Sequence, residues 1–316
     1  MRSSKIKSHA KLNLALNITG KNSSLHKIET IIVFVSLHDE IFIEKINSNK
    51  HKVSFIGKFS RNIGKNNTVS KLLDILDKKK LLNNKKFKVV IKKKIPHKAG
   101  LGGGSMNASN ILNYLLKKKI VKISQKEVIK ISKLVGSDVI LGLNSTNSVL
   151  SRNNEIKRFN NCKKFYSLIV KPNFGCSTRE IYSKVKKFNK PKFDNPNSKM
   201  FNLDYLKKME NSLEPIVLSK YGKLRSIKSF LENFSKPSFV RMTGSGSALV
   251  AYFQSKHMCE NAKKIIDKKY KITGVYAVIK GDQKIPSISA ASIIAKVSRD
   301  KFITTLARNN KGYGWD

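Results

Sequence analysis

Apolar residues recur along this chain at two periods. Residues 29–46 are rich in β-branched and aromatic side chains, and His38-Asp39 divides them into two expected strands. Val69, Leu72, Leu73 and Leu76 then recur at helical spacing, with Asn67 and Thr68 placed to cap a helix running to Leu82. Phe87, Val89 and Ile91 alternate with lysines, the pattern of a half-buried strand, and Pro96 closes it. A glycine-rich stretch follows, after which residues 106–116 resume the helical period. Ser124 and Glu127 form a capping box that opens a further helix toward Leu134, ended by Gly136-Ser137-Asp138. The pattern breaks at Asn153-Asn154, and residues 165–170 read as a buried strand. Residues 186–198, rich in Lys, Asn and Pro, predict an exposed loop, and helical segments are expected at 205–209 and 224–233. A second glycine-rich turn at 243–247 leads into an apolar strand at 248–253. The sum is an α+β chain without solenoid repeats, its two domains meeting near residue 155.

Composition narrows the class. A length of 316 residues allows two domains with real cores, and 40% apolar residues is low but still globular. No run approaches the roughly 18 apolar residues needed to span a bilayer, and the basic stretch 1–8 lacks the apolar segment of a signal peptide. A cytoplasmic location and no membrane partner are therefore expected. Cys162, Cys176 and Cys259 are few and far apart, which argues against a disulfide framework and a structural zinc site. The formal charge of +44, from 64 basic and 20 acidic residues, points toward nucleic acid on its face. The lysines, however, are spread over the whole chain and do not interleave with aromatics. They accompany an excess of Asn and Ile, as AT-rich coding would give, so a nucleic-acid partner is not expected; small polyanions are.

The chemistry gathers at Ala99, Gly100, Leu101, Gly102, Gly103, Gly104 and Ser105, between the strand closed by Pro96 and a helix. Glycine lets backbone turn tightly and approach a ligand, and the amides with the helix N-terminus aim positive partial charge at an anion. Ser105 is placed to donate its hydroxyl to phosphate or to Mg²⁺. The spacing is neither a Walker loop nor GxGxxG. Taken alone, the stretch is also compatible with a structural turn, although a linker would not be framed by a strand and a periodic helix.

Three further segments sharpen this reading: Ala10-Lys11-Leu12-Asn13-Leu14, Gly136-Ser137-Asp138-Val139 and Arg241-Met242-Thr243-Gly244-Ser245-Gly246. With the glycine loop, in this order and spacing, they resemble the signature motifs of the GHMP kinase family over residues 5–275. The resemblance implies a two-domain fold, with a ribosomal protein S5 domain 2-like domain at 1–155 and a ferredoxin-like domain at 156–279. It also implies ATP and Mg²⁺ as cofactors and, within the family, an alcohol acceptor that is a cytidine diphosphate-linked polyol. Lys11 and Asp138 match the family's catalytic pair. Pro96, the loop from Ala99 to Ser105, and Thr243, Gly244, Ser245 and Gly246 match its ATP-binding segments. Asn13, His26, Thr178 and Tyr182 match substrate-binding positions, His26 and Tyr182 at the base. Leu25 stands where an aromatic usually precedes His26, and Ile140 where a proline usually follows Asp-Val. Phosphoryl transfer relies on positioning and charge neutralisation, for which a carboxylate base beside a lysine suffices. His9, His38, His51, His97 and His257 are expected at the surface or in turns.

From Gly281 onward the chain resembles a segment of ribonuclease HII, and Asp282 matches one of that family's metal-binding carboxylates. The Asp-Glu pair that would complete a two-metal site has no counterpart, so residues 280–316 are expected to be a non-catalytic extension. The competing readings are a different GHMP kinase, for homoserine or a mevalonate derivative, and a basic nucleic-acid-binding or nuclease-related fusion.

Overall fold

The computed structural model describes residues 3–280 except 23–24, 161, 163–164, 235 and 271–275, with backbone alone for 276–280. Of the extension expected at 280–316, Lys280 ends the last described strand, and the rest, Asp282 included, lies outside the described residues.

Two long strands come first, β1 (Ser4–Lys21) and β2 (His26–Ile46), paired antiparallel. β3 (Lys52–Ile56), helix α1 (Thr68–Lys78) and β4 (Lys86–Lys92) form a β-α-β unit whose strands pair in parallel. Helices α2 (Gly103–Lys117) and α3 (Gln125–Val135) follow, then a 3-10 turn at Ile140–Leu143, β5 (Asn147–Leu150) and β6 (Ile156–Phe159). These strands make one sheet in the order β3-β4-β2-β5-β6, with β1 also on β2. The rest comprises β7 (Tyr166–Lys171), α4 (Thr178–Ser183), a 3-10 turn at Ser198–Phe201, α5 (Leu203–Lys207), α6 (Glu214–Lys220) and α7 (Gly222–Phe234). It ends with β8 (Phe239–Met242), β9 (Leu249–Phe253), α8 (Lys256–Lys269) and β10 (Tyr276–Lys280). Their sheet is antiparallel with order β10-β7-β9-β8, the ferredoxin-like arrangement of two crossed β-α-β units. No helix among the described residues is long and apolar enough to cross a membrane.

Local chemistry explains the helix starts. Asn67 Oδ1 accepts from the amides of Val69 and Ser70 at 3.0 Å each, and Ser124 Oγ accepts from that of Glu127 at 3.3 Å. α1 stops at Lys78, short of Leu82; Lys80 turns left-handed, and Leu82 is buried in the turn that follows. Leu72, Ile111 and Ile131 from α1, α2 and α3 pack with Ile41, Val89 and Ile91 of the first sheet. In the second sheet Leu168 and Val170 face α7 and α8, whereas Ile169, Val250 and Tyr252 face β1 and β2. The β1–β2 ribbon thus runs through both halves, with Leu16 and Ile18 in the core of the second.

Several expectations change. β2 is one continuous strand, not two, because Asp39 finds partners in the segment just past β4 and on α2. Its Oδ1 accepts from the amides of Lys94 and Ile95 at 2.8 Å, and its Oδ2 from Asn107 Nδ2 at 3.0 Å and from Lys93 Nζ. β1 carried no expected strand, yet it is the longest partner β2 has. β6 pairs with β5, so a division at 155/156 would cut a hairpin; the sheets part between Phe159 and Tyr166. His9 and His38 are partly buried ribbon partners with ring centroids 5.2 Å apart, and His51 bridges Asp77 and the Phe87 amide. None of these three lies in a turn.

Candidate active site

The glycine loop leaves β4 at a buried Pro96 and enters α2 through Gly102, which caps the helix in left-handed backbone (φ 68°). A Cβ at Gly102 would meet Lys11 Cγ at 2.8 Å, so the lysine stem lies directly along the loop. The Lys11 amide donates to the Leu101 carbonyl at 3.1 Å. Gly104 is exposed and Ser105 partly so at the first turn of α2, where free amides face outward. This cradle fits a phosphate chain. Ser105 Oγ lies beside Gly136, 3.9 Å from where a Cβ would stand there. No cluster of three or more His, Cys, Asp and Glu suited to a metal ion occurs among the described residues. A magnesium ion here would draw on the Ser105 hydroxyl and the nucleotide's own oxygens, the hard donors it prefers.

β1 is irregular where the chemistry sits. Its register with β2 shifts between His9 and Lys11 and again between Asn13 and Ala15, isolating a short stretch that presents Lys11 and Asn13 together. Lys11 Nζ donates to Asn13 Oδ1 at 2.6 Å and pairs with Asp138 Oδ2 at 3.1 Å. The lysine side chain is 5% exposed and that of Asp138 38%, so the pair is anchored inside and open on the carboxylate side. Asn13 is held in turn: its Nδ2 donates to Thr30 Oγ1 at 2.9 Å and its amide to Thr243 Oγ1 at 3.0 Å.

The second glycine turn lies against the first. Thr243 Oγ1 donates to the Gly100 carbonyl at 3.3 Å, and the amides of Ser247 and Ala248 donate to Lys98 and Ala99. A Cβ at Gly100 would collide with the Thr243 carbonyl, and one at Gly244 would stand 2.9 Å from the Gly100 oxygen. Thr243, Gly244, Ser245 and Gly246 are all buried. This turn packs against the first loop and backs it across the two sheets. Pro96, Ala99 and Leu101 are likewise buried and shape the loop from beneath, leaving Gly102, Gly103, Gly104 and Ser105 at its mouth.

From that turn a contact path leads to the other candidates. Ser245 Oγ and Thr178 Oγ1 are 2.8 Å apart. Thr178 opens α4, capped by Ser177, and Tyr182 stands one turn later. The Tyr182 ring lies 5.2 Å from that of His26 at 49°, and Phe188 lies 6.3 Å from His26 at 56°. Burial, helped by the charge of Asp138, pushes the Tyr182 hydroxyl well up, so it stays protonated. Burial and then Lys21 hold His26 below the usual imidazole value, leaving a neutral ring that both donates and accepts. Leu25 is 70% exposed and offers no ring. The structure thus brings together Lys11, Asn13, Asp138, the glycine loop, Thr178, Tyr182 and His26. Sequence reasoning did not single out Phe188, whose ring contacts His26; a lone Phe in a lysine-rich loop carries no local signal.

The family model described as GHMP kinases N terminal domain matches residues 67–149. A 4-diphosphocytidyl-2-C-methyl-D-erythritol kinase of Pelagibacter ubique is 54% identical over 270 residues, covering 85% of this chain and 96% of its own. The chain belongs to the 4-diphosphocytidyl-2-C-methyl-D-erythritol kinase family. A member from Clostridium tetani is 30% identical, covering 84% of this chain and 96% of its own. A crystal structure of 4-(cytidine 5'-diphospho)-2C-methyl-D-erythritol kinase superposes with a TM-score of 0.69 at 20% identity, over 89% of this chain and 100% of that one. A homoserine kinase from Cytophaga hutchinsonii gives 0.64 at 14% identity over 88% and 94%, a likeness of fold alone. The family model described as Ribonuclease HII matches residues 244–316. That match starts earlier than the likeness read from the sequence, and its described part forms the second glycine turn, β9, α8 and β10 of this kinase fold.

Proposed function

We propose that this protein transfers the γ-phosphoryl group of ATP to the C2 hydroxyl of 4-diphosphocytidyl-2-C-methyl-D-erythritol, a step of the non-mevalonate route to isoprenoids. The observation that carries the proposal is the Lys11–Asp138 pair beside the glycine loop, on the contact path that leads through Thr178 to Tyr182 and His26. Asp138, open to the cleft, takes the proton of the acceptor hydroxyl; the oxygen attacks the γ-phosphorus as the bond to the β-phosphate oxygen breaks and ADP leaves. Lys11 places its charge against the transferring group, and Asn13 fixes Lys11 through their hydrogen bond. The α2 amides hold the phosphates, and Ser105 would hold magnesium, which supplies further charge neutralisation when bound. Neutral His26 and Tyr182 hold the cytosine ring. Both substrates are small, soluble and anionic, which supports a cytoplasmic site of action and agrees with the basic chain.

The test is ADP release with ATP and the cytidyl acceptor, with homoserine and with mevalonate phosphate. Turnover is expected with the cytidyl compound alone. Asp138→Asn should lower kcat by roughly 10²- to 10⁴-fold with the circular dichroism spectrum unchanged. Turnover surviving in that variant would remove Asp138 from the base role.

A further inference from the structure

Phe188 leaves 48% of its surface exposed, beside a half-buried His26. An exposed phenyl ring in a lysine-rich loop has one ready explanation, a mobile surface, and the contacts on either side of it argue otherwise. On its N-terminal side, the Val185 amide donates to the Tyr182 carbonyl at 3.2 Å. On its C-terminal side, the Asn189 amide donates to the Ile18 carbonyl at 2.8 Å, and its side chain donates to Asn17 at 2.8 Å and to Ser212 at 3.0 Å. Glu29, fully buried, accepts from the Lys192 amide at 2.5 Å, the Phe193 amide at 3.2 Å and Asn17 at 2.6 Å. Phe193 is itself 1% exposed, a plug that seats the strap in the main core. The backbone carrying Phe188 is therefore fixed before any ligand arrives, and the ordering cost of presenting the ring is already met.

The ring also stands where one is needed. His26 has Tyr182 on one contact and Phe188 on another, whereas Leu25, next to His26 in the chain, offers only an exposed aliphatic group. A planar base is best held between π-faces, with a neutral imidazole reading its polar edge. We propose that Phe188 is a wall of the nucleobase site, stacking on the pyrimidine of the acceptor together with Tyr182 and so doing for this chain what Leu25 cannot. This rests on the cytidyl-acceptor reading above and adds to it a specificity-determining residue from a different segment.

The test uses the full chain and steady-state kinetics with the cytidyl acceptor and ATP varied separately. Phe188→Ala should raise KM for the acceptor by roughly 5- to 150-fold, the span of one base stack, and leave KM for ATP within about twofold. Phe188→Tyr should retain parental KM, and Phe188→Leu, which keeps bulk and loses the π-face, should behave like the alanine variant. An unchanged acceptor KM in Phe188→Ala would overturn the proposal, and so would a Phe188→Leu variant as good as Phe188→Tyr. A parent enzyme that does not turn over the cytidyl compound would instead overturn the acceptor reading, and with it this one. Matching thermal midpoints across the four proteins exclude a folding defect.

Discussion

Glu40 sits next to Asp39 on β2, and its carboxylate bonds Lys5 at 2.7 Å and Lys94 at 3.3 Å. The hydrogen bond from Lys5 and then Lys94 outweigh burial and pull its pKa from 4.5 to about 2. A folded-state value below the unfolded one means the group stabilises the fold above the unfolded pKa and loses that contribution as pH falls through the folded one. Glu40→Gln should therefore lower the urea midpoint by a constant amount from about pH 5 to 7. The gap should close as pH falls from about 4.5 toward about 2, read from paired denaturation curves. Residues of this kind show what the sequence conveyed and what it did not. Lys11 and Asp138 were legible because four short motifs in fixed order framed them. Glu29, Asp39 and Lys93 were not, since each acquires meaning from distant partners, as in the bonds between Asp39 and Lys93, 54 positions apart, and between Glu29 and Phe193, 164 apart.

At the level of elements, the two glycine segments behave as one object. Gly100 has positive φ and faces the Thr243 backbone, which cannot rotate aside; Gly104 has only the Thr68 hydroxyl near it, at 2.9 Å from a would-be Cβ, and lies exposed at the mouth. Gly100→Ala should therefore destabilise the protein by about 1–3 kcal/mol, seen as a lower thermal midpoint. Gly104→Ala should lower the midpoint less than Gly100→Ala, because the added methyl meets a side-chain hydroxyl and not backbone, and should raise KM for ATP by altering the mouth of the phosphate cradle. Elements with local signals were legible: the Asn67 cap, the Ser124 cap and the alternation of β4 all reappear in the structure. β1 was not, because residues 10–17 are buried on both faces, polar ones included, so no polar face alternates with an apolar one. The break read at His38-Asp39 rested on the weak strand preference of Asp, which four hydrogen bonds override.

For the whole molecule, the surplus of lysine spread along the chain suits two polyanionic substrates and requires no dedicated binding face. The β1–β2 ribbon matters more. Leu12 and Val33 lie in the cluster between the sheets, Leu16 and Ile18 in the core under α7 and α8, and Ile41 and Ile43 in the core under α1, α2 and α3. Three clusters thus lean on the same pair of strands, and loosening any one withdraws backing from the other two. Cooperativity, which two sheets joined by a simple linker would lack, is then built into the chain path. Heating should melt the protein in one transition, with calorimetric and van't Hoff enthalpies equal. Ile18→Ala should lower that single midpoint and not split it, so that damage in one half is felt at once as unfolding of the other.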